Sequence, residues 1–128
     1  MTEDLQTTPH DHDPRSRDVI RAMPSSADTE KVAEVLRQLG DPSRLRIFWL
    51  LCHCEECVMN IAALTGMSSP AVSHHLRLLK NGGLIVSRRA GKEMYYRAAD
   101  SETAAALHRM VEEVARITCP AEGGHDSH

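Results

Sequence analysis

Apolar residues recur at helical spacing along most of the chain and change to a strand-like pattern in one place. Val32, Val35, Leu36 and Leu39 fall at i, i+3, i+4 and i+7 and predict a helix with one buried stripe, capped by Asp28 and ended at Gly40. Asp41 and Pro42 then supply an N-cap and a first-turn proline for a second helix. Its Leu45, Ile47, Phe48, Leu50 and Leu51 are apolar on most sides, which places it centrally. Val58, Ile61, Ala62 and Leu64 predict a short third helix broken at Gly66, after which Ser68 or Ser69, with Pro70, caps a fourth. In that fourth helix Val72, Leu76 and Leu79 face inward while Ser73, His74, Arg77 and Lys80 do not, until Asn81-Gly82-Gly83 stops it. LIVSRR and EMYYRA are β-type runs joined at Ala90-Gly91-Lys92, a hairpin. Asp100 or Ser101 starts a last helix striped by Thr103, Leu107, Met110, Val111, Val114 and Ile117, ending near Cys119-Pro120.

Residues 1–27 mix Pro, Ser, Thr, Asp and His without periodicity and are expected to be a flexible N-terminal tail. Residues 28–118 then form the one folded domain that 128 residues allow, and 119–128 a C-terminal tail. No apolar run approaches the ~20 residues needed to span a bilayer. The start MTEDLQTTPHDHDPRSRD is polar and acidic, unlike a signal peptide or anchor, so a cytoplasmic protein is expected.

The net charge of −3 conceals a strong asymmetry. Residues 68–97 carry six basic side chains against one acidic, while both ends of the chain are acidic. A two-fold dimer would double that basic block on one face, enough to hold several phosphates. Two helices joined by a tight glycine turn, the second rich in Ser, His and Arg and followed by a basic hairpin, predict a mainly α fold with a β-hairpin wing, a winged helix-turn-helix. A major groove about 12 Å wide admits one helix. Ser68, Ser69, Ser73, His74 and Arg77 are the expected reading set on double-stranded DNA, with Arg88, Arg89 and Lys92 as wing contacts. The plain alternative is a solvated helix face and an ordinary charged hairpin.

Cys52, Cys54 and Cys57 lie just ahead of this unit, in CHCEEC. In a reducing compartment such thiols point to metal or redox chemistry rather than to disulfides, and thiolate favours Zn(II), Cd(II), Cu(I) or As(III) over hard cations. On one unbroken helix Cys52 would sit about 200° from Cys54, so the segment must open, or a partner must complete a site. Simple burial of small apolar thiols is the alternative. A thiol enzyme would want a low-pKa cysteine in a phosphate-type loop or a C-x-x-C beside a strand, and an acidic helical setting offers neither. A metal buffer would not need the basic block. No catalytic residue and no organic cofactor are therefore expected. His53 is a weak ligand candidate, His108 reads as a helix-surface residue, and His10, His12, His125 and His128 read as solvated tail residues.

LGDPSRLRIFWLL and SSPAVSHHLRLLKNGGLIVSRRAGKEMYYR resemble the ArsR/SmtB family of bacterial metalloregulatory repressors, over roughly residues 28–118. The resemblance implies a homodimer built through the first and last helices, bound to operator DNA and released by a metal, metalloid or other thiol-reactive inducer. The family's thiol sensors place their cysteines at positions matching Cys57, Met59 and Ala62, so only Cys57 coincides. Its last-helix site corresponds to Asp100, Glu102, Glu113 and Arg116, where an arginine and the lack of histidine argue against a zinc or nickel site. A persulfide-sensing branch pairs a second-helix cysteine, at the position of Trp49, with one in a tail like ITCP. Cys119 fits that tail and Cys52 lies about one turn beyond Trp49, so Cys52 and Cys119 are an alternative sensing pair.

Overall fold

Asp41 turns its carboxylate over the first turn of the central helix, accepting from the Arg44 N–H at 2.9 Å just ahead of Pro42. The computed structural model describes residues 15–120. Their order is α1 (Arg15–Ala22), α2 (Ser26–Gln38), α3 (Pro42–His53), β1 (Glu56–Cys57), α4 (Val58–Thr65), α5 (Ser69–Asn81), β2 (Ile85–Ala90), β3 (Glu93–Ala98) and α6 (Glu102–Thr118). The chain divides into two compact units, one up to Ala33 and one from Glu34.

In the first unit, α1 lies within the stretch expected to be a tail and buries none of its residues; an Asp18–Arg21 pair at 3.1 Å spans one of its turns. The first turn of α2 is held by Ser25, whose Oγ accepts from the Asp28 N–H at 3.1 Å, so Ser25 rather than Asp28 caps that helix.

In the second unit, the expected inward faces meet. Ile47, Phe48 and Leu51 of α3 share one core with Ile61 of α4, Val72, Leu76 and Leu79 of α5, Leu84 and Ile85 at the start of the wing, and Ala104 and Leu107 of α6. Ser68 and Ser101 supply the caps of α5 and α6, accepting from the N–H groups of Ala71 and Ala104. Gly66 ends α4 at φ 76°, a left-handed conformation that glycine adopts without strain. The segment between α3 and α4 does open, leaving the helix at Cys54, and it adds a third strand. The sheet order is β1-β3-β2, all antiparallel, with Glu56 opposite Tyr96 and Cys57 opposite Tyr95.

The apolar stripes of the first and last predicted helices are covered only in part. Leu39 and Leu107 are buried, but Val32, Leu36, Met110, Val114 and Ile117 are 41–60% exposed. Periodicity identifies which side of a helix is apolar, not what covers it. No helix among the described residues is long and apolar enough to cross a membrane.

Candidate functional site

The α4-turn-α5 unit and the β2–β3 wing put the basic block on the outside of the second unit. Ser68, Ser69, Ser73, His74 and Arg77 of the α5 region are all exposed, as are Arg88, Arg89 and Lys92 of the wing. Ser68 has a structural duty as well, since its Oγ accepts from the Ala71 N–H at 3.2 Å. Arg77 Nη2 lies 3.0 Å from His74 Nδ1. Guanidinium only donates, so His74 Nδ1 is the acceptor and its ring proton sits on Nε2. Lys80 Nζ donates to Ser87 Oγ at 2.7 Å, tying α5 to β2.

The cysteines are spread over three elements. Cys52 is on α3, half-buried against the core. Cys54 is the residue at which α3 ends, with extended backbone (φ −156°, ψ 163°), and its Sγ lies 3.5 Å from the Leu50 carbonyl that it donates to. Cys57 is buried in β1 at the start of α4. Burial, aided by the negative charge of Glu112, pushes the Cys52 thiol up to about 11. Burial and then Glu56 push Cys54 upward too. Both therefore rest as neutral thiols, contrary to the depressed pKa of a redox C-x-x-C. Cys119 caps α6 and is exposed.

Cys52 and Cys54 open onto one cleft of about 660 Å³, together with Glu55, Arg97 and His108. Cys57 does not line it. Among the described residues, the three-ligand set of His, Cys, Asp or Glu atoms lying within 4.8 Å of one another is His53, His108 and Glu112, and the three cysteines form no such set. His10, His12, His125 and His128 lie outside the described residues.

Two relationships escape sequence reasoning. Glu55, inside CHCEEC, holds Arg88 of the wing through two bonds of 2.8 Å, which lowers the Glu55 carboxyl and raises the guanidinium. Glu112 Oε2 accepts from Trp49 Nε1 at 2.9 Å and faces both histidines; the tryptophan bond first, then His108 and His53, hold its carboxyl below the usual range. The available hint was spacing: Trp49 and His53 are i, i+4 on one helix, and His108 and Glu112 are i, i+4 on another.

A helix-turn-helix followed at once by a β-hairpin defines the winged helix-turn-helix class. Residues 41–87 match the model of the arsR family of bacterial regulatory proteins. The chain is 40% identical over 85 residues to a transcriptional repressor SmtB homolog of Synechocystis sp., a match covering 66% of this chain and 64% of that protein. It is 33% identical over 105 residues to a cadmium resistance transcriptional regulatory protein CadC homolog of Staphylococcus aureus, covering 78% of this chain and 83% of the relative. A solution structure of a homodimeric winged helix-turn-helix DNA-binding domain from Mycobacterium bovis is similar at TM-score 0.65 and 38% identity, over 84% of this chain and 99% of that one. The chain belongs to the ArsR family of bacterial regulatory proteins.

Proposed function

We propose that the protein is a homodimeric repressor that binds double-stranded operator DNA through α5 and the wing and leaves it when a thiophilic metal or metalloid engages its cysteines. The observation that carries this reading is the division of α5. Val72, Leu76 and Leu79 are buried, while Ser69, Ser73, His74 and Arg77 stand exposed beside the wing cations Arg88, Arg89 and Lys92. The named relatives, a repressor and a cadmium-resistance regulator, support both halves of it. The uncovered Leu36, Met110, Val114 and Ile117 are the apolar surface that a second copy would bury.

As(III), Cd(II), Zn(II) and Cu(I) are the inducers whose chemistry suits Cys52, Cys54 and Cys57. Cys52 and Cys54 share the cleft, so they are the first ligands, and Cys57 joins only if β1 opens. Movement there reaches the wing through Glu55 and Arg88. A coupling of about 1–3 kcal/mol between inducer and DNA gives roughly 5- to 150-fold weaker binding. A second reading, persulfide sensing by Cys52 and Cys119, is favoured by the exposure of Cys119 and disfavoured by the raised Cys52. The test is fluorescence anisotropy of the reduced protein on its own promoter DNA, repeated with each metal, arsenite and a persulfide donor. Release by a metal or arsenite that Cys52→Ser/Cys54→Ser abolishes supports the reading; release by none of these overturns it.

A further inference from the structure

We propose that His53, His108 and Glu112 form a binding site for a borderline first-row divalent cation, Zn(II), Co(II) or Ni(II), distinct from the thiols. It adds a second input to the repressor proposed above and rests on that reading only for its regulatory consequence.

Three ligand atoms converge from α3 and α6. His108 Nε2 lies 3.2 Å from His53 Nε2 and 3.1 Å from Glu112 Oε2, and His53 Nε2 lies 3.4 Å from the same oxygen. Metal–ligand bonds of about 2.0–2.1 Å imply ligand–ligand edges of about 3.3–3.4 Å for a tetrahedral ion and about 2.8–3.0 Å for an octahedral one. The observed triangle lies within that span, so an ion seats with shifts of a few tenths of an ångström.

Hydrogen bonding and metal binding ask different protonation states of the triangle. The carboxylate only accepts, and each Nε2 offers either a proton or a lone pair. With one proton, the other nitrogen turns its lone pair toward Glu112. With two, both N–H groups can donate to Glu112 Oε2, leaving the two ring nitrogens 3.2 Å apart. With none, every edge sets lone pair against lone pair. A cation at the centre meets all three lone pairs at once, and two imidazoles with one carboxylate are a donor set for borderline metals rather than for Mg(II) or Ca(II).

The surroundings suit an ion as well. Trp49 donates to Glu112 Oε2 at 2.9 Å, and its ring lies 4.1 Å from that of His53, so one side chain orients two ligands. His108 also lines the cleft that holds Cys52 and Cys54, through which solvent can complete the coordination shell. Because α3 runs directly into the segment bearing Glu55, a cation joining α3 to α6 would fix the base of the helix-turn-helix.

The test exploits Trp49, the only tryptophan in the chain. Co(II) is titrated into the full chain carrying Cys52→Ser, Cys54→Ser and Cys119→Ser, with His10, His12, His125 and His128 changed to Gln and the buried Cys57 left intact. The expected result is one Co(II) per chain, with visible ligand-field absorption and quenching of Trp49. Adding His108→Gln or, separately, His53→Gln should weaken both signals about tenfold or more, since even outer-shell losses cost that much. Circular dichroism checks that each variant is folded. Absence of ligand-field bands in the starting variant, or bands and quenching unchanged by His108→Gln, would overturn the proposal. Operator binding, followed separately by anisotropy, reports on the repressor reading and leaves the metal result untouched.

Discussion

Arg88 and Glu55 form a two-pronged ion pair, Nε to Oε2 and Nη2 to Oε1, each at 2.8 Å. One partner belongs to the cysteine segment and the other is an expected DNA contact, so the same guanidinium cannot fully serve both. Glu55→Gln should free Arg88 and remove a negative charge near the phosphates. Operator affinity should rise several-fold, and the slope of log K against log salt should steepen by about 0.9, one additional phosphate. The inducer response should become blunted at the same time. A salt series by fluorescence anisotropy checks this, and an unchanged slope would show that Arg88 never exchanges partners.

Arg77 is held by His74 on the exposed face of α5. Arg77→Ala should weaken operator binding about tenfold, the lower range for losing a base contact. His74→Ala should cost less, because it removes the brace and leaves the cation in place. Both side chains are exposed, so far-ultraviolet circular dichroism should not change. A competition assay against scrambled DNA separates the two roles: loss confined to the operator marks base reading, and uniform loss marks phosphate contact.

What was legible in the sequence was local. The inward face of α5, the wing and the proline-started α3 each follow from a few neighbouring residues, and the structure has them where spacing puts them. Strand β1 was not legible, because two residues have no period; only pairing with Tyr95 and Tyr96 makes Glu56 and Cys57 a strand. For the same reason His53 reads only as a weak ligand candidate and His108 as a helix-surface residue until α3 and α6, 55 positions apart at these two residues, pack together. The stripe on α6 was legible as apolar but not as exposed, since a repeat of Met110, Val114 and Ile117 looks the same whether its cover is the same chain or another.

Cysteine reactivity should follow exposure and charge rather than order in the sequence. With Cys52 raised to about 11, only a trace of it is thiolate at pH 7.5. Cys54 is raised as well, Cys57 is buried, and Cys119 is exposed. Brief iodoacetamide treatment at pH 7.5 followed by peptide mass spectrometry should find Cys119 modified well before the others. Cys52 labelling should accelerate as pH climbs toward 11. Because a metal must displace these protons, affinity at Cys52 and Cys54 should also increase with pH. Labelling of Cys52 at the rate of Cys119 would contradict the neutral resting thiol.

Acid should destabilise the fold through His75 before it reaches the carboxylates. Its ring is largely buried, Nδ1 accepts from Arg44 Nη1 at 3.4 Å, and Nε2 lies 3.7 Å from Asp41 Oδ2. Burial lowers its pKa below the ordinary 6.5, and the pull of Asp41 in the other direction does not outweigh it. The unfolded chain therefore takes up the proton first as pH falls through about 6.5. The stability His75 contributes is complete above that value and is lost below it. Asp41, lowered from 3.8 chiefly by the Arg44 N–H it caps, adds a second loss in the same direction as pH falls further. Thermal unfolding midpoints should drop between pH 7 and 5 in the natural chain, and His75→Gln should flatten that segment while leaving the steeper fall below pH 4. If the two chains decline in parallel from pH 7 to 5, the buried imidazole is not the acid-sensitive group.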